Sequence, residues 1–183
     1  MELIRSEWPD VVEHLRPRSS ANGECTESES SYSRRVQEIL PSSPMEVIVQ
    51  WFYEHWEDIS RYAWLGFSRF RFVNQLWSSQ AVVESGIREN PSVRIDHRHY
   101  LKGNTSTRIT RIVDFFQQHG TWPVRPVFLE NQTDNLVHAN GHRLTCPYHL
   151  LEGHHRAALF WAFHDEGKPQ PEHGVWVASI EEP

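Results

Sequence analysis

The stretch that decides the fold reads YHLLEGHHR at residues 148–156. Its first part, Tyr148 to Leu151, has the apolar and aromatic character of a buried strand. Gly153 then permits a tight turn and a close backbone approach, and a helix is expected to begin near His155. The first N–H groups of a helix have no partner within it and carry the positive end of its dipole. A strand, a glycine turn and a helix start in this order predict a site for an anion such as phosphate.

The side chains at this turn are the predicted catalytic residues. Arg156 can bind two phosphate oxygens with its planar guanidinium, and His154 and His155 can donate to a phosphate or transfer a proton. Glu152 ends the strand and can act as general base or hold a divalent cation. Glu130, at the end of a neighbouring strand, is expected to lie beside Glu152 and share that metal. The ordinary alternatives are two surface histidines and a carboxylate that stabilises the helix dipole.

Composition limits the class of protein. The chain has 183 residues, 38% of them hydrophobic, and eight Trp, which suits one compact domain with an appendage. No apolar run approaches the ~18–20 residues of a membrane span, and the first residues lack the pattern of a secretory signal. Cys25 and Cys146 form no CxxC pair, and no Cys or HExxH spacing accompanies the histidines, so structural zinc is not expected. A cytoplasmic protein with no membrane partner is predicted.

Charge is divided unevenly along the chain. The net charge is −6, made up of −7 in residues 1–60, +6 in residues 61–111 and −5 in residues 112–183. Sixteen of the eighteen basic residues are Arg, whose planar guanidinium binds phosphate through two N–H groups at once and so suits phosphate better than Lys does. The basic block predicts DNA contact, and the alternative is that these side chains solubilise helix faces and pair with the acidic flanks. The candidate DNA-binding residues are Arg69, Arg71, Arg94, Arg98 and Arg111.

The pattern of apolar residues predicts three parts. Residues 1–43 are taken as a largely mobile segment, because most of residues 17–43 are rich in Ser and Glu. Residues 44–90 are expected to form a helical subdomain with an aromatic core, including one helix after Pro44 and a second over residues 62–77. The remaining residues, 91–183, are expected to form an α+β domain.

Within the last part the predicted order is helices and strands in alternation. It consists of a short strand at 93–96, a loop at 97–103, a helix at 107–118, a strand at 124–129, the strand at 148–151, a helix at 155–166 and a final strand at 175–178. The fold class is therefore α+β, with a small mixed sheet and flanking helices.

Residues from about 93 to 180 resemble the ParB/sulfiredoxin superfamily. The likeness lies in the helix at 107–118, the Pro-flanked strand PVRPVFL at 123–129, and the GHHR turn at 153–156 with its strand and Ala-rich helix. Sulfiredoxins carry Gly-Cys-His-Arg at this turn, and chromosome-partitioning ParB proteins carry Gly-Glu-Arg-Arg. The size, acidity and added helices are also similar to the plasmid-encoded fertility-inhibition branch, the oncogenic suppressive activity (Osa) type.

The resemblance implies nucleotide chemistry. ATP would be bound through Gly153, His155 and Arg156, with Mg²⁺ or Mn²⁺ as the metal. His154 stands where sulfiredoxins have their reactive Cys, so sulfinic-acid repair is not expected. A second half of the phosphate pocket would lie at the start of the helix predicted at 107–118. Its predicted residues are Lys102, Thr105, Ser106, Thr107 and Arg108. The alternative is that these residues only cap that helix, and the two interpretations are compatible.

Two functions follow as expectations. The first is an ATPase with metal-dependent DNase activity, of the kind that inhibits conjugative or T-DNA transfer, with a type IV secretion or conjugation ATPase as partner. The second is a nucleotide-gated DNA-binding or adaptor module that performs no chemistry. The two share a pocket and differ in whether a base is correctly placed.

Overall fold

The computed structural model describes residues 13–20, 25–101, 103, 107–137 and 141–181, with the backbone alone at 107 and 108. The fold is α+β, as the sequence predicts. The chain forms two compact units, Met1–Phe72 with Ser179–Pro183, and Val73–Ala178. The boundaries between the units lie after residues 72 and 178, whereas the sequence predicts boundaries after residues 43 and 90. In the described part of the chain, no helix combines the length and the apolar character that crossing a bilayer requires.

A helix, α1 (Glu29–Ile39), occupies the segment that was predicted to be largely mobile. Ser28 caps it by accepting from the Ser31 N–H. The buried Tyr32 donates its hydroxyl to the carbonyls of Leu15 and Phe52, at 2.6 and 3.1 Å. The mobile-linker prediction is wrong for this stretch, because Tyr32 and Val36 lie on one helical face and are buried despite the polar composition around them.

The rest of this unit is built around aromatic side chains. The short helix α2 (Met45–Val47) continues into a π-helical segment (Ile48–Tyr53), followed by α3 (Trp56–Ile59). Ile48, Phe52, Trp56 and Ile59 recur at the spacing of one helical face; Trp56 is half-buried and the other three are fully buried. Trp51 stacks on Phe70 with ring centroids 6.1 Å apart, so the tryptophan here serves the core.

The second predicted helix, over residues 62–77, is wrong. Two 3₁₀ segments (Ser60–Leu65 and Phe67–Arg69) meet at Gly66, whose φ of +88° ends the helical run. Strand β1 (Phe70–Ser78) follows. Phe70 and Phe72 alternate with polar Arg71, a period-two pattern that favours a strand over a helix.

The sheet has the order β1–β4–β2–β3. Strand β2 (Val127–Glu130) runs antiparallel to β3 (Tyr148–Glu152) and parallel to β4 (Glu172–Ile180). All three contain or overlap the strands that the sequence predicts. Phe128 from β2 and Leu150 from β3 lie in the core of the unit 73–178.

The described residues of this unit form four helices: α4 (Ser79–Glu84), α5 (Pro91–Leu101), α6 (Thr107–His119) and α7 (His154–Asp165). Helices α6 and α7 confirm the predicted helices at 107–118 and 155–166. Both α5 and α6 pack against α7.

Helix α5 replaces the strand predicted at 93–96 and covers residues 97–101 of the loop or turn predicted at 97–103. Asn90 caps it by accepting from the N–H groups of Ser92 and Val93, and Pro91 supplies the fixed φ that suits the first helical position. The alternation of Val93 and Ile95 suggested a strand, yet Val93 is buried while Ile95 is exposed. The residues that α5 turns inward recur at helical spacing.

Candidate functional site

The glycine turn closes tightly against the protein itself. Strand β3 ends at Glu152, Gly153 has a φ of +104°, and the Ala157 N–H donates to the Gly153 carbonyl at 2.9 Å. A Cβ placed on Gly153 would lie 2.8 Å from Cβ of Pro126 and 3.1 Å from Nε of Arg156. The predicted strand, turn and helix are therefore present, and the close approach that requires glycine is made to neighbouring side chains.

Arg156 turns inward from the start of α7. Only 8% of the residue is exposed. Its Nη2 lies 3.1 Å from Oε1 of Glu152, and its Nη1 donates to the carbonyl of Val124 at 3.3 Å. Helical side chains lean back toward the helix N-terminus, which brings the guanidinium of Arg156 over Gly153 and onto the end of β3.

This arrangement corrects the roles assigned to Arg156 and Glu152. The sequence predicts that Arg156 binds a phosphate and that Glu152 acts as general base or metal ligand. The structure instead pairs the two side chains, which are only 10% and 12% exposed. Their contacts tie the start of α7 to β3 and to the segment before β2, so both residues hold the turn in shape.

Glu130 and Glu152 do not share a metal site. The antiparallel register places Val127 opposite Glu152 and Glu130 opposite Tyr148, so the two carboxylates stand at opposite ends of the strand pair. Three residues along a strand span about 10 Å, whereas a divalent cation needs oxygen ligands at about 2–2.6 Å. The prediction is wrong because it assumed that both strands end at the same edge. Among the described residues, no group of three or more His, Cys, Asp or Glu side chains is arranged to hold a metal ion.

His155 has a partner that the sequence did not reveal. Its Nδ1 lies 3.0 Å from Oδ2 of Asp96 on α5. The histidine side chain is 47% exposed and the aspartate 20% exposed. A carboxylate at Nδ1 fixes the imidazole tautomer and directs Nε2 outward as a proton acceptor. Asp96 was missed because residues 93–96 were assigned to a strand; helical spacing from Val93 was the available signal.

His154 begins α7 and lies near the buried His149. Burial is the main cause that lowers the pKa of His149 to about 4, and the charges of the neighbouring His154 and His142 contribute to the same shift. The Thr145 N–H donates to Nδ1 of His149 at 3.2 Å, so the neutral ring carries its proton on Nε2. His149 is therefore a neutral core residue, and it places no positive charge beside the start of α7.

The predicted second half of the pocket cannot be placed. Lys102, Thr105 and Ser106 lie outside the described residues. Thr107 and Arg108 begin α6, where only the backbone is described. Their nucleotide contacts stay a prediction.

The five arginines predicted to bind DNA are divided between the two units. In the unit that contains residues 13–72, Arg69 donates to the Glu181 carbonyl at 2.8 Å, and Arg71 forms a 2.7 Å ion pair with the Glu181 carboxylate. The other unit carries exposed arginines on α5 and α6, namely Arg94, Arg98 and Arg111. The Glu181 carboxylate reduces the charge that Arg71 can offer to phosphate, and the Glu181 carbonyl already accepts from Arg69.

No protein family, curated protein or solved structure matches the chain. The resemblance to the ParB/sulfiredoxin superfamily therefore stays a prediction based on the glycine turn and its flanking elements.

A second buried histidine, His173, belongs to the core. Its Nε2 lies 3.0 Å from the hydroxyl of Ser79 and its Nδ1 2.9 Å from the hydroxyl of Thr121. Ser79 donates its own proton to the Gln170 carbonyl at 2.6 Å, so Nε2–H donates to Ser79, and Thr121 donates to Nδ1. This tautomer cannot deprotonate Ser79, and the contact is structural.

Acid should destabilise the protein through His173. Burial is the main cause that lowers its pKa to about 4, from 6.5. The unfolded chain takes up a proton below about pH 6.5, and the folded chain does so only near pH 4, so stability is lost as the pH falls through this window. We expect the His173 contribution to the free energy of unfolding to fall by about 1–2 kcal/mol between pH 7 and pH 5.

Urea denaturation at both pH values measures this loss. His173→Gln should reduce the loss by that amount, while the titration of His149 leaves a remaining dependence. An equally steep loss in the variant would show that His173 does not titrate differently in the two states.

Proposed function

We propose that this protein binds a nucleotide at the start of α7 and hydrolyses its terminal phosphate, with His155 as general base. The observation that carries the proposal is the 3.0 Å contact between Nδ1 of His155 and Oδ2 of Asp96. It orients an exposed imidazole in the first turn of a helix that follows a glycine turn. This is where a helix N-terminus offers backbone N–H groups to an anion.

The chemistry follows from the tautomer. Nδ1–H donates to Asp96, so the lone pair of Nε2 accepts a proton from water. The resulting hydroxide attacks the terminal phosphorus, the bond from phosphorus to the bridging oxygen breaks, and the nucleoside diphosphate leaves with that oxygen. The backbone N–H groups and the dipole of α7 stabilise the charge on the phosphate oxygens. Arg156 and Glu152 keep the turn in the required conformation.

The resemblance to ParB/sulfiredoxin proteins supports ATP as the nucleotide. The resemblance also implies Mg²⁺ or Mn²⁺ and a DNase activity, but Glu130 and Glu152 are too far apart to hold an ion together. Inhibition of conjugative or T-DNA transfer, with a secretion ATPase as target, is the biological role that this resemblance supports.

The test is ATP hydrolysis by variants of the His–Asp pair. We expect His155→Gln to lower kcat about 10²–10⁴-fold, the usual contribution of a general base. Asp96→Asn should lower kcat about 10–100-fold, because the imidazole loses the carboxylate that orients it. His99→Gln is the matched control, because it changes an exposed histidine on α5, the helix that carries Asp96, and it should leave kcat unchanged. Thermal unfolding of each variant checks its folding.

Equal activity in His155→Gln and the control would contradict the catalytic role of His155. Detectable nucleotide binding without turnover would favour the second candidate.

That second candidate is a non-catalytic, nucleotide-gated DNA-binding or adaptor module. The observation that favours it is the mutual pairing of Glu152 and Arg156, since two of the four predicted catalytic residues are occupied in structural contacts. In that case a non-hydrolysable ATP analogue at a hundred times its Kd should add about 2.7 kcal/mol to the stability. Hydrolysis should be absent with every divalent cation tested.

A further inference from the structure

The outer face of α5 combines positive charge with exposed aliphatic side chains. Arg94 and Arg98 are one helical turn apart, and Ile95 and Leu101 lie three residues to either side of Arg98. Residues at these spacings are neighbours on a helix surface. Ile95 is 45% exposed and Leu101 63% exposed. The four residues are called here the α5 face.

The charge of this face is not balanced locally. In the described part of the chain, the guanidinium of Arg94 makes no ion pair or hydrogen bond, and Nε of Arg98 donates only to the carbonyl of Arg94 at 3.3 Å. Asp96 is the acidic residue of this helix, and it is turned toward His155. The α5 face therefore presents two positive charges without a compensating carboxylate.

Its aliphatic residues distinguish among possible ligands. Phosphate contacts to nucleic acid use charged and polar donors and give no reason to expose Ile95 and Leu101. A membrane surface binds helices through a wide apolar stripe, but the inner side of α5 is occupied by its packing against α7. A protein surface that offers both carboxylates and a narrow apolar stripe matches both kinds of side chain.

We propose that the α5 face binds an acidic amphipathic helix of a partner protein. Ile95 and Leu101 are six residues apart, about 9 Å along the helix axis. They lie about 120° apart around the axis, on either side of Arg98, so they follow an inclined row of the helix surface. A partner helix that crosses α5 obliquely along this row can place apolar side chains about two turns apart against both. Glu or Asp residues beside that stripe pair with Arg94 and Arg98. The proposal does not depend on the nucleotide site, because it uses the opposite side of α5 from Asp96.

The test measures binding of a labelled synthetic peptide to the full chain by fluorescence anisotropy. The peptide has about 18 residues, with Leu at every third or fourth position and Glu at most others, so that it forms an acidic amphipathic helix. A second peptide of the same composition has its Leu residues scrambled. Duplex DNA and anionic phospholipid vesicles serve as further probes.

Two paired variants test the two halves of the proposal. Arg94→Glu with Arg98→Glu, and Ile95→Ser with Leu101→Ser, should each weaken peptide binding at least tenfold. Arg111→Glu on α6 and Leu76→Ser on β1 change exposed residues of the same types elsewhere, and they should leave it unchanged. The scrambled peptide should bind at least tenfold more weakly than the amphipathic one.

Three results would overturn the proposal. The first is the absence of peptide binding at about 1 mM, a concentration that detects even weak complexes. The second is equal affinity for the two peptides, which would mean that binding depends only on the net charge of the peptide. The third is that the chain binds DNA or vesicles but not the peptide, and that Ile95→Ser with Leu101→Ser leaves this binding unchanged. Arg94 and Arg98 would then bind phosphate groups.

Discussion

Gly153→Ala should lower the free energy of unfolding by about 2–5 kcal/mol. The backbone φ of +104° is in the region that L-residues avoid, which accounts for about 1–2 kcal/mol. The added Cβ would also stand 2.8 Å from Pro126 and 3.1 Å from two nitrogens of the buried Arg156 guanidinium. Because the ring of Pro126 cannot yield as a flexible side chain does, overpacking is expected to add about 1–3 kcal/mol.

Gly167→Ala is the matched control for this variant. Gly167 also has a positive φ, +71°, but a Cβ there would meet nothing within 4 Å. Its loss of about 1–2 kcal/mol should reflect backbone strain alone. Chemical denaturation of both variants gives the difference, which isolates the close packing at Gly153. Equal losses would mean that the turn relaxes to accept a methyl group.

Arg156→Met should lower the free energy of unfolding by about 2–4 kcal/mol. Glu152 would lose the guanidinium that lies 3.1 Å from its carboxylate while staying largely buried, with only 12% of its side chain exposed. Removing one member of a buried pair leaves an uncompensated charge, which is the costly outcome. The Val124 carbonyl would also lose the donor at 3.3 Å.

The double variant Arg156→Met with Glu152→Gln shows whether the unpaired charge causes the loss. We expect it to be more stable than Arg156→Met alone, because no buried charge is then left, and a double-mutant cycle gives the coupling. The surface pair of Arg143 and Asp134, with side chains 64% and 51% exposed, is the control. Arg143→Met should cost only about 0–1 kcal/mol. A similarly small effect at Arg156 would contradict its role in holding the turn.

The turn was predictable because its signals are local. The apolar run before Glu152, the glycine after it and the helical pattern beyond it are contiguous, and the structure places β3, the turn and α7 there. Helix α6 was predictable for the same reason. Strand β1 and helix α5 were misassigned because short stretches with mixed aromatic or β-branched residues fit two periodicities. Burial against distant residues then decides between them.

The site itself was only half predictable. His155 was identified from its place at a helix start, but its partner Asp96 is 59 positions earlier in the chain and is brought close only by the packing of α5 against α7. The roles of Glu130 and Glu152 depended on the relative direction of β2 and β3, which local sequence does not encode.

The order of residues along the chain was enough to determine the glycine turn, the helix that follows it and the overall α+β class, because backbone conformation responds to nearest neighbours. Only the tertiary structure decided that Arg156 points inward to Glu152 and that His155 meets Asp96. Those choices depend on which strands pair, and in which direction, and on which helix covers α7. They arise from contacts between segments far apart in sequence.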